Sequence, residues 1–472
     1  MIRALIAAFG AISLCATAVA AQDYPPQPKA GAPKPFRVPQ TETFALPNGM
    51  SVTLVPTGIV PKAFVSLQIA AGSLNEGENV WLASLTAQLM REGAAGRSGA
   101  QIAQAAASMG GSLGLGATTH HTVLSLYTLS DRAPDALRLI GDVARRPDFP
   151  SSELDRVRQN LLRGLAVARA QPGSAAEVAL AAAYYGNNHP YGRVVPTEAQ
   201  LRAYSLAEVR RFHADNFGAR RARLYIAGQF DAAAVRAAIQ QAFADWQPGP
   251  EPLKLPPSPQ AGPRVILVDR PGAPQSTIRL AFAAPIAGSA SDLPFQVTNA
   301  LLGGSFSSRI TQNIREQKGY TYSPNSGVRF NAGEALWAFQ ADVTTDVTGA
   351  SLKEVFGEIR RLQTEPAPDA ESLGMRTWMA GVFVLRNAGA PGLVNSLSDR
   401  DFHGLPANWL DAYVPSVMAV TPAQMQRLAR EQLPLDKLTL VVVGDLAKVR
   451  PQLAALPELN GIEAKLVTPF GP

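Results

Sequence analysis

The feature that most constrains this chain is a succession of signals that occurs twice at nearly constant spacing. Near residue 50 the run "GMSVTLVP" alternates apolar and polar positions like a strand and is followed by "AFVSLQIAAGS"; near residue 264 "PRVILVDRP" is followed by "STIRLAFAAPIAGS". Each half then runs through helical sequence to a capped helix, a strand and a glycine. "SLAEVRRF" precedes "RLYIAGQFD", and "TPAQMQRLA" precedes "LTLVVVGDL". Ser205 with Glu208 and Thr421 with Gln424 fit the S/T-x-x-E/Q capping box, and Pro422 takes the first helical position. Ser205 and Thr421 lie 216 residues apart, as do Gly228 and Gly444. A period this long predicts duplicated domains rather than a solenoid. The expected fold class is α+β, with two homologous halves of about 200 residues, each a sheet packed with helices.

Between them "WQPGPEPLKLPPSPQAGP", Trp246 to Pro263, is too rich in proline for a helix and reads as an extended connector. The expected boundaries are a first half over 41–247, a linker over 248–263, a second half over 264–460 and a tail over 461–472.

Residues 22–40 form a second proline-rich stretch, expected to be an extended or disordered leader. Ahead of it, Arg3, an apolar run to about Leu14 and small residues at Ala18 and Ala20 read as a secretory signal peptide over 1–21. Its apolar core is shorter than the roughly 20 residues of a bilayer span, and no later run reaches that length. The expectation is a soluble, periplasmic chain with no membrane span. Cys15, the single cysteine, lies within the signal, so the exported chain would hold no disulfide and no cysteine-based metal site. Stability then rests on a large apolar core, for which 472 residues at 46% hydrophobic suffice.

The net charge of +6 is scattered. Its densest groups, Arg220, Arg221 and Arg223, or Arg360 and Arg361, alternate with apolar residues, so nucleic acid is excluded as an expected partner. The five histidines offer no metal spacing. His120 and His121 are adjacent in the strand-like "ATTHHTVLSLYTLS", where neighbours point to opposite faces; His189, His213 and His403 stand apart. "GGSLG", Gly110 to Gly114, matches G-x-S-x-G by letters but runs from helix into strand, the reverse of a nucleophile elbow, leaving Ser112 as a turn residue. Gly303 and Gly304 lack the G-K-[ST] of a phosphate loop and are expected to let the backbone turn between two helical segments.

Three stretches, "AAGSLNEGENVWLASLTAQLMREGA", "NNHPYGRVVPTEAQL" and "LLGGSFSSRITQNIREQKGYTYS", together with the paired halves, resemble the pitrilysin and mitochondrial processing peptidase family of zinc metallopeptidases, the insulinase-like, H-x-x-E-H (inverzincin) group, over Phe44 to about Leu456. The resemblance implies the metallohydrolase-like, LuxS/processing-peptidase type of fold for each half. In that family two histidines four apart stand on one helix face and share a zinc, the glutamate between them takes a proton from zinc-bound water, and a glutamate on a later helix completes the site. Laid on this chain, the motif falls on "LASLTAQ": Ser84 and Gln88 replace the histidines, Ala87 the general base, and the later glutamate falls close to Gly164. A hydroxyl, a neutral amide and a methyl group do none of that work. The helix frame, Val80, Leu82, Leu85 and Leu89, is kept for packing.

The family's other hallmark is retained. An arginine and a tyrosine seven residues later, which the resemblance places as donors to the carbonyl oxygen of bound peptide, fall on Arg315 and Tyr322. The chain thus resembles the non-catalytic subunit of an exported heteromeric zinc endopeptidase. The resemblance implies no cofactor in this chain, zinc in a homologous H-x-x-E-H partner forming a heterodimer, and a peptide substrate. The alternative is a peptide-binding or structural scaffold with no role in hydrolysis.

Overall fold

The computed structural model describes residues 31, 34–255 and 262–470. The signal, most of the leader, the middle of the linker and the last two residues lie outside the described residues. Residues 35–470 belong to one compact α/β unit.

Among the described residues the strands are, in order, β1 (Glu42–Ala45), β2 (Ser51–Pro56), β3 (Lys62–Ile69), β4 (Gly93–Ala94), β5 (Arg97–Ser98), β6 (Gly114–Ala117), β7 (Thr122–Leu129), β8 (Ala222–Gly228), β9 (Arg264–Asp269), β10 (Gln275–Ala283), β11 (Asn325–Asn331), β12 (Glu334–Thr344), β13 (Thr439–Gly444) and β14 (Ala464–Leu466). The helices that bear on function are α1 (Leu82–Glu92), α2 (Ser151–Ala170), α3 (Pro172–Tyr185), α4 (Asp292–Asn299), α5 (Asp369–Arg386), α6 (Ala390–Phe402) and α7 (Trp409–Met418).

Two six-stranded sheets form, in the orders β1-β2-β8-β3-β7-β6 and β11-β12-β10-β13-β9-β14. In the first, β8 runs parallel to β2 and antiparallel to β3; in the second, β13 runs parallel to β9 and antiparallel to β10. The central strands "ARLYIAG" and "TLVVVG" are near-continuous apolar runs because both faces are covered. Both capping boxes form: Ser205 Oγ accepts from Glu208 N–H at 3.3 Å, and Thr421 Oγ1 from Gln424 N–H at 3.2 Å.

One face of each sheet packs on its own helices, with cores centred on Leu67, Leu85 and Ile226, and on Leu280, Phe339 and Leu440. The other face of each is covered from across the unit. α3 lies on the β9, β10 and β13 side, closing Ala176, Leu180 and Tyr184 against Ile266, Val441 and Val443. α6 lies on β3 and β8, closing Val394 and Leu397 against Val55, Tyr225 and Ala227. Polar bonds fix each crossing. Tyr185 donates to Glu334 at 2.7 Å, Glu177 pairs with Arg329 at 2.7 Å, and Tyr225 donates to Asp401 at 2.9 Å. The end of the leader is held as well: Phe36 packs edge-on to Phe383 at 5.1 Å, and Val38 N–H donates to Asp411 at 2.9 Å. Among the described residues no helix is long and apolar enough to cross a membrane.

Candidate functional site

α1 occupies the stretch read as the remnant of a metal-binding helix. Leu82, Leu85 and Leu89 are buried in the first core, whereas Val80 is buried just ahead of the helix and outside that core. Ser84 and Gln88 are half-buried, Ala87 is buried, and Gly164 stands exposed on α2, where an added Cβ would meet nothing within 4 Å. The helices that carry these positions, α1 and α2, pack together. They do not fit zinc: one hydroxyl and one amide are its only side-chain donors, and structural or catalytic zinc takes three or four good ligands. Among the described residues no group of three or more His, Cys, Asp or Glu is placed to hold a metal.

The start of α1 is held by a residue the sequence reading passed over. Trp81, at φ 68°, precedes the helix without a side-chain cap. Glu76 satisfies the open end, accepting from Trp81 N–H at 3.0 Å and Ala83 N–H at 2.7 Å. Only 6% of Glu76 is exposed. Burial pushes its carboxyl up to about 8, against the two N–H bonds and the Arg193 charge, which pull it down.

The histidine pair departs from expectation. His120 and His121 lie in the turn between β6 and β7, where Thr118 N–H donates to the His121 carbonyl and His121 N–H to the Thr118 hydroxyl, so strand alternation does not separate them. Both rings pack on Phe402, at 4.7 and 5.1 Å. Burial lowers both to about 4, aided for His120 by His121 and His403 and for His121 by Arg223. His120 Nε2 is bonded to the Tyr191 hydroxyl at 2.9 Å.

The second cluster lies in the segment from Ala300 to Tyr322. Two π-helical stretches, Ala300–Gly304 and Thr311–Gln317, flank the loop at Phe306. Such wide turns cost hydrogen-bond geometry and concentrate at functional sites. Gly303 and Gly304 are needed for close approach: a Cβ would stand 2.5 Å from Ser326 Oγ and 2.4 Å from Asn299 Nδ2, respectively. The segment is pinned from below. The Arg309 guanidinium forks onto Glu371 at 2.8 and 2.7 Å, Asn313 donates to Glu354 and Glu358, and Lys318 pairs with Glu354 at 3.0 Å.

On this base Arg315 and Tyr322 meet. The Arg315 guanidinium carbon lies 4.9 Å from the Tyr322 ring centre and 4.5 Å from that of Phe306, within range of cation–π attraction. Tyr322 is 79% exposed and Phe306 67%. Glu316 is the ion-pair partner of Arg315, at 3.3 Å. The result is a cation held between two aromatic rings at the surface, with donors available to an incoming oxygen. Phe306 was not singled out from the sequence; its signal was an aromatic residue at the tip of "GGSFSSR", where burial could not explain it. Among the described residues no hydrogen bond, ion pair or ring contact joins Arg315 or Tyr322 to Ser84, Gln88 or Gly164.

The fold is mixed α/β, and the helix positions read as a metal site carry no zinc ligand set. Sequence profiles described as "Insulinase (Peptidase family M16)" and "Peptidase M16 inactive domain" match residues 54–196 and 203–375. The chain belongs to the M16 peptidase family, as a member without the metal motif. It is 27% identical over 364 residues to an uncharacterized zinc protease of Mycobacterium tuberculosis, covering 75% of this chain and 80% of that one. It is 22% identical over 405 residues to the non-peptidase homolog YmxG of Helicobacter pylori, covering 84% and 90%. A crystal structure of a peptidase M16 inactive domain from Pseudomonas fluorescens shares the fold at TM-score 0.79 and 24% identity, over 86% of this chain and 98% of that one.

Proposed function

We propose that this chain is the non-catalytic subunit of an exported, heteromeric zinc endopeptidase, built of two related halves joined by the proline-rich linker. Zinc belongs to a homologous partner carrying H-x-x-E-H, and Arg315 and Tyr322 reach from this chain to the carbonyl oxygen of the peptide being cleaved. The matching order and direction of the central strands in the two sheets support the duplication. The observation that carries the function is the contrast within one molecule: the metal positions Ser84, Ala87, Gln88 and Gly164 hold no usable ligand set, while half-buried Arg315 and exposed Tyr322 stand together. A guanidinium and a phenol are preorganised donors for developing negative charge.

Co-expression with an H-x-x-E-H homologue should give a stable heterodimer by light scattering. In that complex Tyr322→Phe, which removes one hydroxyl, should lower turnover by roughly 10² to 10³ with assembly intact, the cost of one oxyanion donor. Two non-interacting chains, or turnover within a few-fold of wild type for both Tyr322→Phe and Arg315→Ala, would sink the reading and leave a scaffold.

A further inference from the structure

A cavity of about 250 Å³ lies beneath the π-helical segment, bounded by α4, β11, α5 and α7. Trp378, Val382 and Arg386 stand at four-residue intervals on α5 and so share one face, with Met379 and Phe383 beside them. Tyr413 of α7 closes the wall, its ring stacked on Phe383 at 4.0 Å and 12°. Ala300, Gly304, Ser326 and Gly327 complete the lining. One lining residue, Gly304, stands two residues along the chain from exposed Phe306.

Two polar groups line this cavity, and the charge of one of them, Arg386, also acts on Asp399. Among the described residues the Tyr413 hydroxyl makes no hydrogen bond, and Arg386 makes no ion pair. They neighbour one another: Tyr413 is raised to about 12 by burial, and the charge of Arg386 opposes that rise. Trp378 is 42% exposed, so its indole can meet a residue entering from solvent. The volume lies below the roughly 300–1,000 Å³ of sites that enclose a whole drug-sized ligand, so it suits one side chain rather than a cofactor.

We propose that this cavity binds one large apolar or aromatic residue of a peptide, with Arg386 and the Tyr413 hydroxyl taking an oxygen of that residue. The oxygen has two sources, an internal carbonyl or a C-terminal carboxylate. The inference rests on the peptide-handling reading for its purpose. Its test does not, because it uses the full chain without a partner.

The indole N–H resonance of Trp378, assigned by its loss in Trp378→Phe, reports titration with three peptides: blocked Gly-Gly-Phe-Gly-Gly, acetyl-Gly-Gly-Phe with a free carboxylate, and blocked pentaglycine. The phenylalanine peptides should shift the resonance saturably and pentaglycine should not. Tyr413→Phe should weaken binding about 2- to 10-fold, as expected for one neutral hydrogen bond. Val382→Phe, which fills the cavity, should abolish it while the melting temperature shows the fold intact. Arg386→Gln separates the sources: a larger loss for the free-carboxylate peptide assigns a C-terminus, and an equal loss assigns a carbonyl. Absence of saturable binding by either phenylalanine peptide, equal binding of pentaglycine, or undiminished binding in both Val382→Phe and Tyr413→Phe overturns the site. Loss of partner-dependent turnover effects at Tyr322 with this binding intact would refute the subunit reading alone.

Discussion

α1 and the segment Ala300–Tyr322 are the two places where chemistry would be sought, and they have been treated oppositely. In α1 the buried side is intact and the side that would carry chemistry is gone: Leu82, Leu85 and Leu89 remain in the core while Ser84, Ala87 and Gln88 stand at the ligand positions. In the second segment the backbone departs from regular helix, two aromatic rings stay exposed, and the charged groups are pinned by Glu371 and Glu354. Packing and chemistry are thus separable constraints on one fold. A helix keeps its apolar face because losing it costs stability wherever the reaction takes place, and surface aromatics with a fixed cation have no such structural reason to persist.

The sharpest way to break this comparison is to attack the buried face of α1. Leu85→Ala removes a fully buried side chain and should cost about 2–5 kcal/mol of stability by chemical denaturation, the usual range for such a cavity. Below its unfolding midpoint the variant should leave the turnover of the assembled complex within a few-fold. Tyr322→Phe should do the reverse, changing rate by 10² to 10³ without moving the midpoint. If Leu85→Ala lowers rate as much as Tyr322→Phe with the fold intact, α1 contributes more than a frame.

The division was partly legible in the sequence. Capping boxes at Ser205 and Thr421 form as read, because they are local, and the frame of α1 follows from its apolar spacing. Other features depend on distant partners. α3, "PGSAAEVALAAAYY", is apolar on all sides, which announces burial but not that its cover is the β9–β10–β13 face. The turn at Thr118–His121 defeats a period-two reading, since the alternation of β7 begins only at Thr122. Wide π-helical turns leave no periodic trace, so Phe306 could not be placed beside Arg315 from spacing alone.

Glu76 offers a second way to sharpen the contrast, through pH. Its carboxyl is raised from 4.5 to about 8 by burial, so its contribution to stability is present below 4.5 and is lost as pH rises through 8. His120 and His121 are lowered from 6.5 to about 4, so theirs is present above 6.5 and is lost as pH falls toward 4. The melting temperature should therefore peak near pH 6.5 and decline on both sides. In Glu76→Gln the alkaline decline between about 6.5 and 8 should flatten while the acid limb remains. An alkaline limb that survives the substitution would show that Glu76 is not its source. Arg315 and Tyr322 should leave the curve unchanged when replaced, since they belong to the exposed segment.

The smallest expected effect tests how the second segment holds its charge. Arg315 lies between Phe306 and Tyr322, with Glu316 as its ion-pair partner. An exposed cation–π contact is worth about 0.5–1 kcal/mol, so Phe306→Leu should lower turnover of the complex about 2- to 5-fold by removing one of the two rings that hold Arg315 against the pull of Glu316. Phe306→Trp, which keeps an aromatic face, should hold the wild-type rate. The double substitution Phe306→Leu with Glu316→Gln removes the competing carboxylate and should recover part of the loss. A Phe306→Leu rate equal to wild type would mean that Tyr322 alone orients the guanidinium. A loss as large as that of Arg315→Ala, unrelieved by Glu316→Gln, would mean that the ring itself meets the peptide. Either result moves the boundary between frame and chemistry by one residue, from Arg315 to Phe306 or back.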